Sequence, residues 1–143
     1  MQLTPLIAVH MSAALAAVAL GPVALWARRG HAGQQLHSQR PRLHRAAGYA
    51  WVTLMLVAAL SAIFIRDFRL PNIAGYTPIH LLVPVVLGCL FFSFRALLRG
   101  DIRRHRRLMV WLYIGGCLVA GAFTLLPHRY LGGLLASLWA SLA

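Results

Sequence analysis

Four long apolar runs dominate this sequence, and each is about as long as a bilayer is thick. They extend from Leu3 to Trp26, Ala46 to Ile65, Ile79 to Leu98 and Leu108 to Leu126. A helix rises ~1.5 Å per residue, so about 20 residues cross a ~30 Å hydrocarbon core. Only helices and closed barrels satisfy their backbone polar groups in lipid. These runs are continuous rather than alternating, so they read as helices. Apart from His80 at the very start of the third, only His10 and Arg95 bring basic groups into them.

Composition agrees. Sixty per cent of the 143 residues are hydrophobic and 11% are charged, whereas a soluble surface is roughly a quarter to a third charged. Disorder is excluded by the same hydrophobicity, and the length suits one domain, residues 1–143. Asp67 and Asp101 are the only acids, so no chemistry that needs clustered carboxylates is available.

All 14 basic residues are arginine, and their placement predicts the topology. Arg28, Arg29, Arg40, Arg42 and Arg45 lie between runs one and two. Arg95, Arg99, Arg103, Arg104, Arg106 and Arg107 lie at or between the ends of runs three and four. Basic loops stay in the cytoplasm, so both termini are expected to face outward. The expected location is a bacterial inner membrane. Met1 to Pro5 carry no side-chain charge, so run one reads as a retained span rather than a signal peptide. The +12 formal charge sits beside membrane helices. Arg42, Arg45, Arg103, Arg104, Arg106 and Arg107 therefore read as topology and lipid head-group residues, with the bilayer as partner and no nucleic acid.

Pro127 ends run four. Beyond it, Leu131, Leu134, Leu135, Leu138, Trp139 and Leu142 recur at helical spacing. A short amphipathic helix over 130–142 is expected in the interface or docked on a partner.

The chain also repeats itself. His10 lies in run one, and His44-Arg45 precedes run two. His80 begins run three, and His105-Arg106 precedes run four. Superposing the two His-Arg pairs lays Ala58–Phe64 on Val119–Leu125. Each half is helix, basic loop, His-Arg, helix, so the halves form a parallel repeat. The expected fold is an all-α, integral membrane four-helix bundle of two helical hairpins. Small residues supply close-contact faces: Ala13, Ala17 and Gly21 in run one, Ala58 and Ala62 in run two, and Gly116 with Ala120 and Cys117 with Gly121 in run four. Pro22 and Pro84 are candidate kink sites.

The repeat pairs His10 with His80 at the outer side and His44 with His105 at the inner side. Two neutral histidines from facing helices can hold a haem b, which makes all four candidate cofactor ligands. Gly48, one turn after His44, leaves room for a flat ring. The plainer reading has His44 and His105 contacting phosphates and capping helices, and His10 hydrogen-bonding a neighbouring helix. His31 and His37 read as solvated loop residues. No short His-x-x-His or Cys-x-x-Cys spacing favours zinc, and Cys89 and Cys117 read as small apolar groups.

Three function classes fit. The first is a non-enzymatic subunit that binds lipid, a partner membrane subunit or another copy of itself. The second is a small b-type cytochrome or quinone-reactive electron-transfer module. The third is a small transporter acting as an oligomer. No catalytic set appears among the motifs.

The segments "RPRLHRAAGYAWVTLML" and "RALLRGDIRRHRRLMVWLYIGGCLVAGAFTLLPHRYLG" resemble the bacterial membrane proteins grouped as domain of unknown function 2306. His10 matches an early histidine of that family. His44, Arg45 and Gly48 match its His-Arg-x-x-Gly-x-x-Tyr-like pattern, with Tyr49 standing earlier than the family's tyrosine. His105, Arg106 and Met109 match His-Arg-x-x-Met. "PIHLL" and "AGAFTLLP" look like one subgroup, which has glycine at the position of His128. The resemblance implies a bacterial inner-membrane location and supplies no activity.

Overall fold

The computed structural model describes residues 4–27, 42–66, 68, 73–125 and 130–142. The described residues form five helices: α1 (Pro5–Trp26), α2 (Arg42–Phe64), α3 (Pro78–Leu98), α4 (Ile102–Thr124) and α5 (Tyr130–Leu142). The first four are long and apolar enough to cross a membrane. The helices α2 and α4 begin before their apolar runs, because arginine-rich first turns are helical without being apolar. Arg28, Arg29, Arg40, Arg69, Arg129, Asp67, His31, His37 and His128 lie outside the described residues.

The starts of α1 and α4 have local causes. Thr4 caps α1 through its hydroxyl, and Pro5 follows at the first helical position, where a missing N–H costs nothing. The α3–α4 corner is a Schellman turn: Asp101 N–H reaches Ala96 O at 2.9 Å and Gly100 N–H reaches Leu97 O at 3.1 Å. Gly100 sits at φ +75°, the left-handed conformation this turn demands. Asp101 then caps α4 through a 2.9 Å bond from Arg104 N–H. Between α2 and α3, Ala74 and Gly75 both have positive φ, and Ile73 and Tyr76 bond reciprocally across them.

The bundle is two antiparallel hairpins. Helix α1 packs on α2, α3 on α4, α2 on α3, and α1 on the middle of α4. The first hairpin has a seam of three side-chain to backbone hydrogen bonds. His10 Nδ1 lies 3.0 Å from Ala58 O, Trp51 Nε1 donates to Ala17 O at 3.0 Å, and His44 Nδ1 lies 2.8 Å from Ala24 O. The residue numbers of each pair add to the same total, and the steps are seven residues on both helices. Seven residues are two turns, so one face of α1 meets one face of α2 throughout.

Ala17, Trp51, Val52, Met55, Ala59, Val86, Leu90, Leu112 and Cys117 make the shared core. The expected small-residue stripe of α1 is buried at Ala13, Ala17 and Gly21. On α2, Ala59 is buried, while Ala58 is half-buried and offers its carbonyl to His10. Leu15, Leu60, Phe91, Phe92, Trp111 and Phe123 are exposed, as suits side chains that face lipid. Leu134, Leu135, Leu138, Trp139 and Leu142 of α5 are exposed too.

In the middle of α4, Tyr113–Val119 is a π-helix, a wide turn that often marks functional sites. Next to it, Pro22 has no N–H, so Val18 O lacks its usual helical donor. The Tyr113 hydroxyl donates to that carbonyl at 3.1 Å. Gly21 makes this possible, because a Cβ there would run into the Tyr113 ring. Gly21→Ala is expected to destabilise the fold by ~1–3 kcal/mol through overpacking, seen as a lower Tm in detergent. Gly48→Ala should instead be neutral or stabilising by up to ~1 kcal/mol, since its Cβ would meet nothing. Equal Tm changes for the two variants would contradict the Tyr113 contact.

Candidate functional site: two histidine-lined cavities

The four candidate histidines divide between two cavities, as the repeat requires. The first, about 720 Å³, lies at the end of the bundle that carries the arginine-rich helix termini, and both His44 and His105 line it. The second, about 300 Å³, lies toward the other end, and both His10 and His80 line it. We call them the arginine-end and distal cavities. His10 meets Ala58, 14 residues after His44 on α2, so the two histidine levels are about 21 Å apart along the helix.

The arginine-end cavity has a mixed wall. Arg42, Arg45 and Arg106 stand beside the histidines, and Trp51, Phe94 and Tyr113 give it apolar depth. Gly48 is on the wall with open space where its Cβ would be. A carbonyl only accepts, so the contact of His44 with Ala24 O assigns the ring proton to Nδ1. Ala24 O is one of the last four carbonyls of α1, which have no helical donor. His44 therefore caps α1, as the plainer reading expected. Its Nε2 has no hydrogen-bond partner among the described residues.

His105 is held by the other hairpin. Its Nδ1 lies 2.8 Å from Ser93 Oγ and 3.1 Å from Ser93 O. Ser93 is fully buried. The tight turn at Gly100 and Asp101 folds the first turn of α4 back onto α3 and produces this contact.

The distal cavity is less symmetric. His10 Nδ1 also lies 3.1 Å from Ser61 Oγ. The Ser61 hydroxyl gives its one proton back to its own helix, at 2.7 Å from Val57 O, so the His10 ring donates from Nδ1 to both Ala58 O and Ser61 Oγ. That His10 bonds a neighbouring helix is thus observed. His80 has both ring nitrogens engaged. Thr77 N–H donates to Nδ1 at 3.1 Å, and Nε2 lies 2.8 Å from Ile65 O and donates to it. His80 closes a capping box at the start of α3 and ties that start to the end of α2.

The wall between the cavities is thin. On α1 the distal cavity ends at Val18 and the other begins at Gly21; on α2 the junction is Met55 to Val52; on α4 it is Gly116 to Tyr113. Three residues are about 4.5 Å of helix.

A family model described as a predicted membrane protein, DUF2306, matches residues 7–136. The chain belongs to this family. The match covers both cavities and all four spans but for Pro5 and Leu6. No curated protein and no solved structure matches. The function of this DUF2306 member therefore rests on its own residues.

Sequence reasoning missed three features of the site. The first is the seven-residue seam; its residues His10, Ala17, Ala24 and His44, Trp51, Ala58 were visible at that spacing. The second is Ser93 as the anchor of His105, for which the sequence carries no signal. The third is the pairing of Tyr113 with Gly21, whose only hint is the missing N–H of Pro22. The cysteines are free thiols, with Cys117 buried and its Sγ 3.5 Å from Met55 Sδ.

Proposed function

We propose that this protein binds a b-type haem in the arginine-end cavity, where His44 and His105 would hold the iron, and carries electrons in the membrane. One observation carries the reading: two histidines from the two halves of the repeat line one cofactor-sized cavity, each with Nδ1 against a backbone carbonyl of another helix. Metal-bound histidines nearly always use their second nitrogen this way, because the bond fixes the tautomer and orients the ring. The cavity volume falls within the ~300–1,000 Å³ usual for cofactor sites. Among the described residues no group of three or more histidine, cysteine or acidic side chains could hold a metal ion. A metal held by two histidines must bring its other ligands with it, as porphyrin iron does. Arg42, Arg45 and Arg106 would pair with the two propionates. Haem iron supplies one-electron chemistry; the protein supplies the ligands, the apolar pocket and the counter-charges. The arginine-bearing face is cytoplasmic by the positive-inside rule, in what we take to be a bacterial inner membrane, with both termini outward.

The test is an optical spectrum of protein purified in mild detergent from cells fed a haem precursor, oxidised and then dithionite-reduced. A Soret band with sharp reduced α and β bands is expected. Folded protein without visible absorption would overturn the proposal. The same three arginines favour a second reading, an anionic lipid head group in this cavity, and co-purified phospholipid in a colourless protein would select it. Gly48→Leu gives a further prediction. Its side chain fills the space beside His44, so haem content should fall at least ~10-fold, comparable to losing a supporting contact of a metal ligand, while Tm is kept. Full haem loading of Gly48→Leu would place the ring elsewhere.

A further inference from the structure

The distal cavity is built differently, and its chemistry selects a different occupant. It has less than half the volume of the arginine-end cavity. His80 has both ring nitrogens committed to the protein, so it offers no second axial ligand. His10 presents the opposite situation. Its Nδ1 proton is used by Ala58 O and Ser61 Oγ, which leaves the Nε2 lone pair as a hydrogen-bond acceptor. Nε2 has no protein partner among the described residues, and no side-chain nitrogen or oxygen among them is sealed from solvent unpaired. An acceptor at membrane depth without a donor is costly. A ligand that brings an O–H removes that cost.

The rest of the wall says what carries the O–H. Met11, Met55 and Cys117 line the cavity, and sulfur-bearing side chains make favourable contacts with aromatic rings. Ala14, Ala59 and Gly121 keep the space between them clear, and a Cβ on Gly121 would meet nothing. Leu15 and Phe123 line the cavity and are also exposed on the outside of the bundle. The cavity therefore opens sideways toward lipid, so its ligand arrives from the bilayer.

We infer that the distal cavity binds a membrane-soluble quinol: the ring lies among Met11, Met55 and Cys117, one hydroxyl donates to His10 Nε2, and the tail leaves between Leu15 and Phe123. The site belongs to this chain whether or not the arginine-end cavity holds haem. A plain acyl chain has no donor for His10 and no ring for the sulfurs.

The experiment measures equilibrium binding of a decyl-substituted benzoquinol to haem-free protein in nanodiscs, under anaerobic conditions. The bis-methyl ether of the same ring is the control, since it keeps the shape and loses the O–H. Saturable quinol binding is expected, with the ether about tenfold weaker, the effect of one hydrogen bond. In His10→Phe, which keeps a ring and removes the acceptor, the preference for quinol over ether disappears. In Gly121→Leu both ligands lose binding. Tm of each variant, and the visible spectrum of haem-loaded protein, report on fold and on the other cavity. Absence of saturable quinol binding, equal binding of quinol and ether, or a quinol preference that survives in His10→Phe would each overturn the inference. Because the binding arm uses haem-free protein, its failure is separate from failure of the haem reading.

Discussion

With haem in the arginine-end cavity as proposed, His44→Gln and His105→Ala are each expected to abolish its spectrum, and His44→Gln to do so without unfolding the protein. The two roles of His44 explain the choice of glutamine. The ring caps the end of α1 through Ala24 O and offers Nε2 to the arginine-end cavity. A glutamine N–H can still reach that carbonyl, but an amide is a poor ligand for haem iron. A variant that keeps its Tm and loses its Soret band separates ligation from capping. Loss of a direct ligand should exceed the ~10–100-fold loss of affinity that follows removal of a supporting residue. Ser93→Ala is the graded companion. It removes the hydroxyl 2.8 Å from His105 Nδ1 and leaves the ligand itself, so haem affinity should fall by roughly 10-fold. Haem titration of the three variants measures this. Wild-type loading of His44→Gln would remove His44 from the iron and leave it only its structural bond.

Trp51→Ala is expected to cost the fold about 3–5 kcal/mol, the range for deleting a buried large aromatic side chain. Trp51 is only 4% exposed and sits at the midpoint of the α1–α2 seam. Its indole N–H is the central one of the three interhelical bonds. Lipid tails are as apolar as the protein core, so helix association in a bilayer relies on close packing and on such bonds. A cavity at this point loses both. Trp51→Phe separates the two contributions. It keeps most of the packing and removes the N–H, so about 1 kcal/mol is expected, near the ~0.6 kcal/mol average for an interhelical hydrogen bond plus a small repacking term. Equilibrium unfolding in mixed micelles gives both numbers. A Trp51→Ala protein as stable as wild type would show that the hairpin is held elsewhere.

The arginine-end cavity depends on the same seam. Trp51 is part of its wall, and the seam sets the height of His44 against α1. The second hairpin sets the height of His105 independently, through Gly100, Asp101 and Ser93. The site therefore needs both hairpins. Each brings one histidine, and α2 packing on α3 with α1 packing on α4 sets both on the wall of one cavity.

Length, apolarity and arginine placement are local properties, and they determined the four spans, the all-α class and the helical tail. The repeat, also legible along the chain, placed His10 with His80 and His44 with His105. What the sequence could not determine was which helix each face meets, and at what height. Helix α1 is apolar on every side, so hydrophobicity does not mark its inward face; the stripe of Ala13, Ala17 and Gly21 marks it by size but names neither the facing helix nor the register, and lipid does not distinguish one apolar face from another. Packing alone chose the register that joins His10, Ala17 and Ala24 to Ala58, Trp51 and His44. Packing also decided that equivalent histidines differ. The loop geometry around Thr77 and Ile65 consumes both nitrogens of His80, while the helix faces beside His10 and His44 leave Nε2 open to a cavity. Hydrogen-bond partners lying 12 to 51 residues away in the chain carry no local signal, and they give one repeat two dissimilar sites.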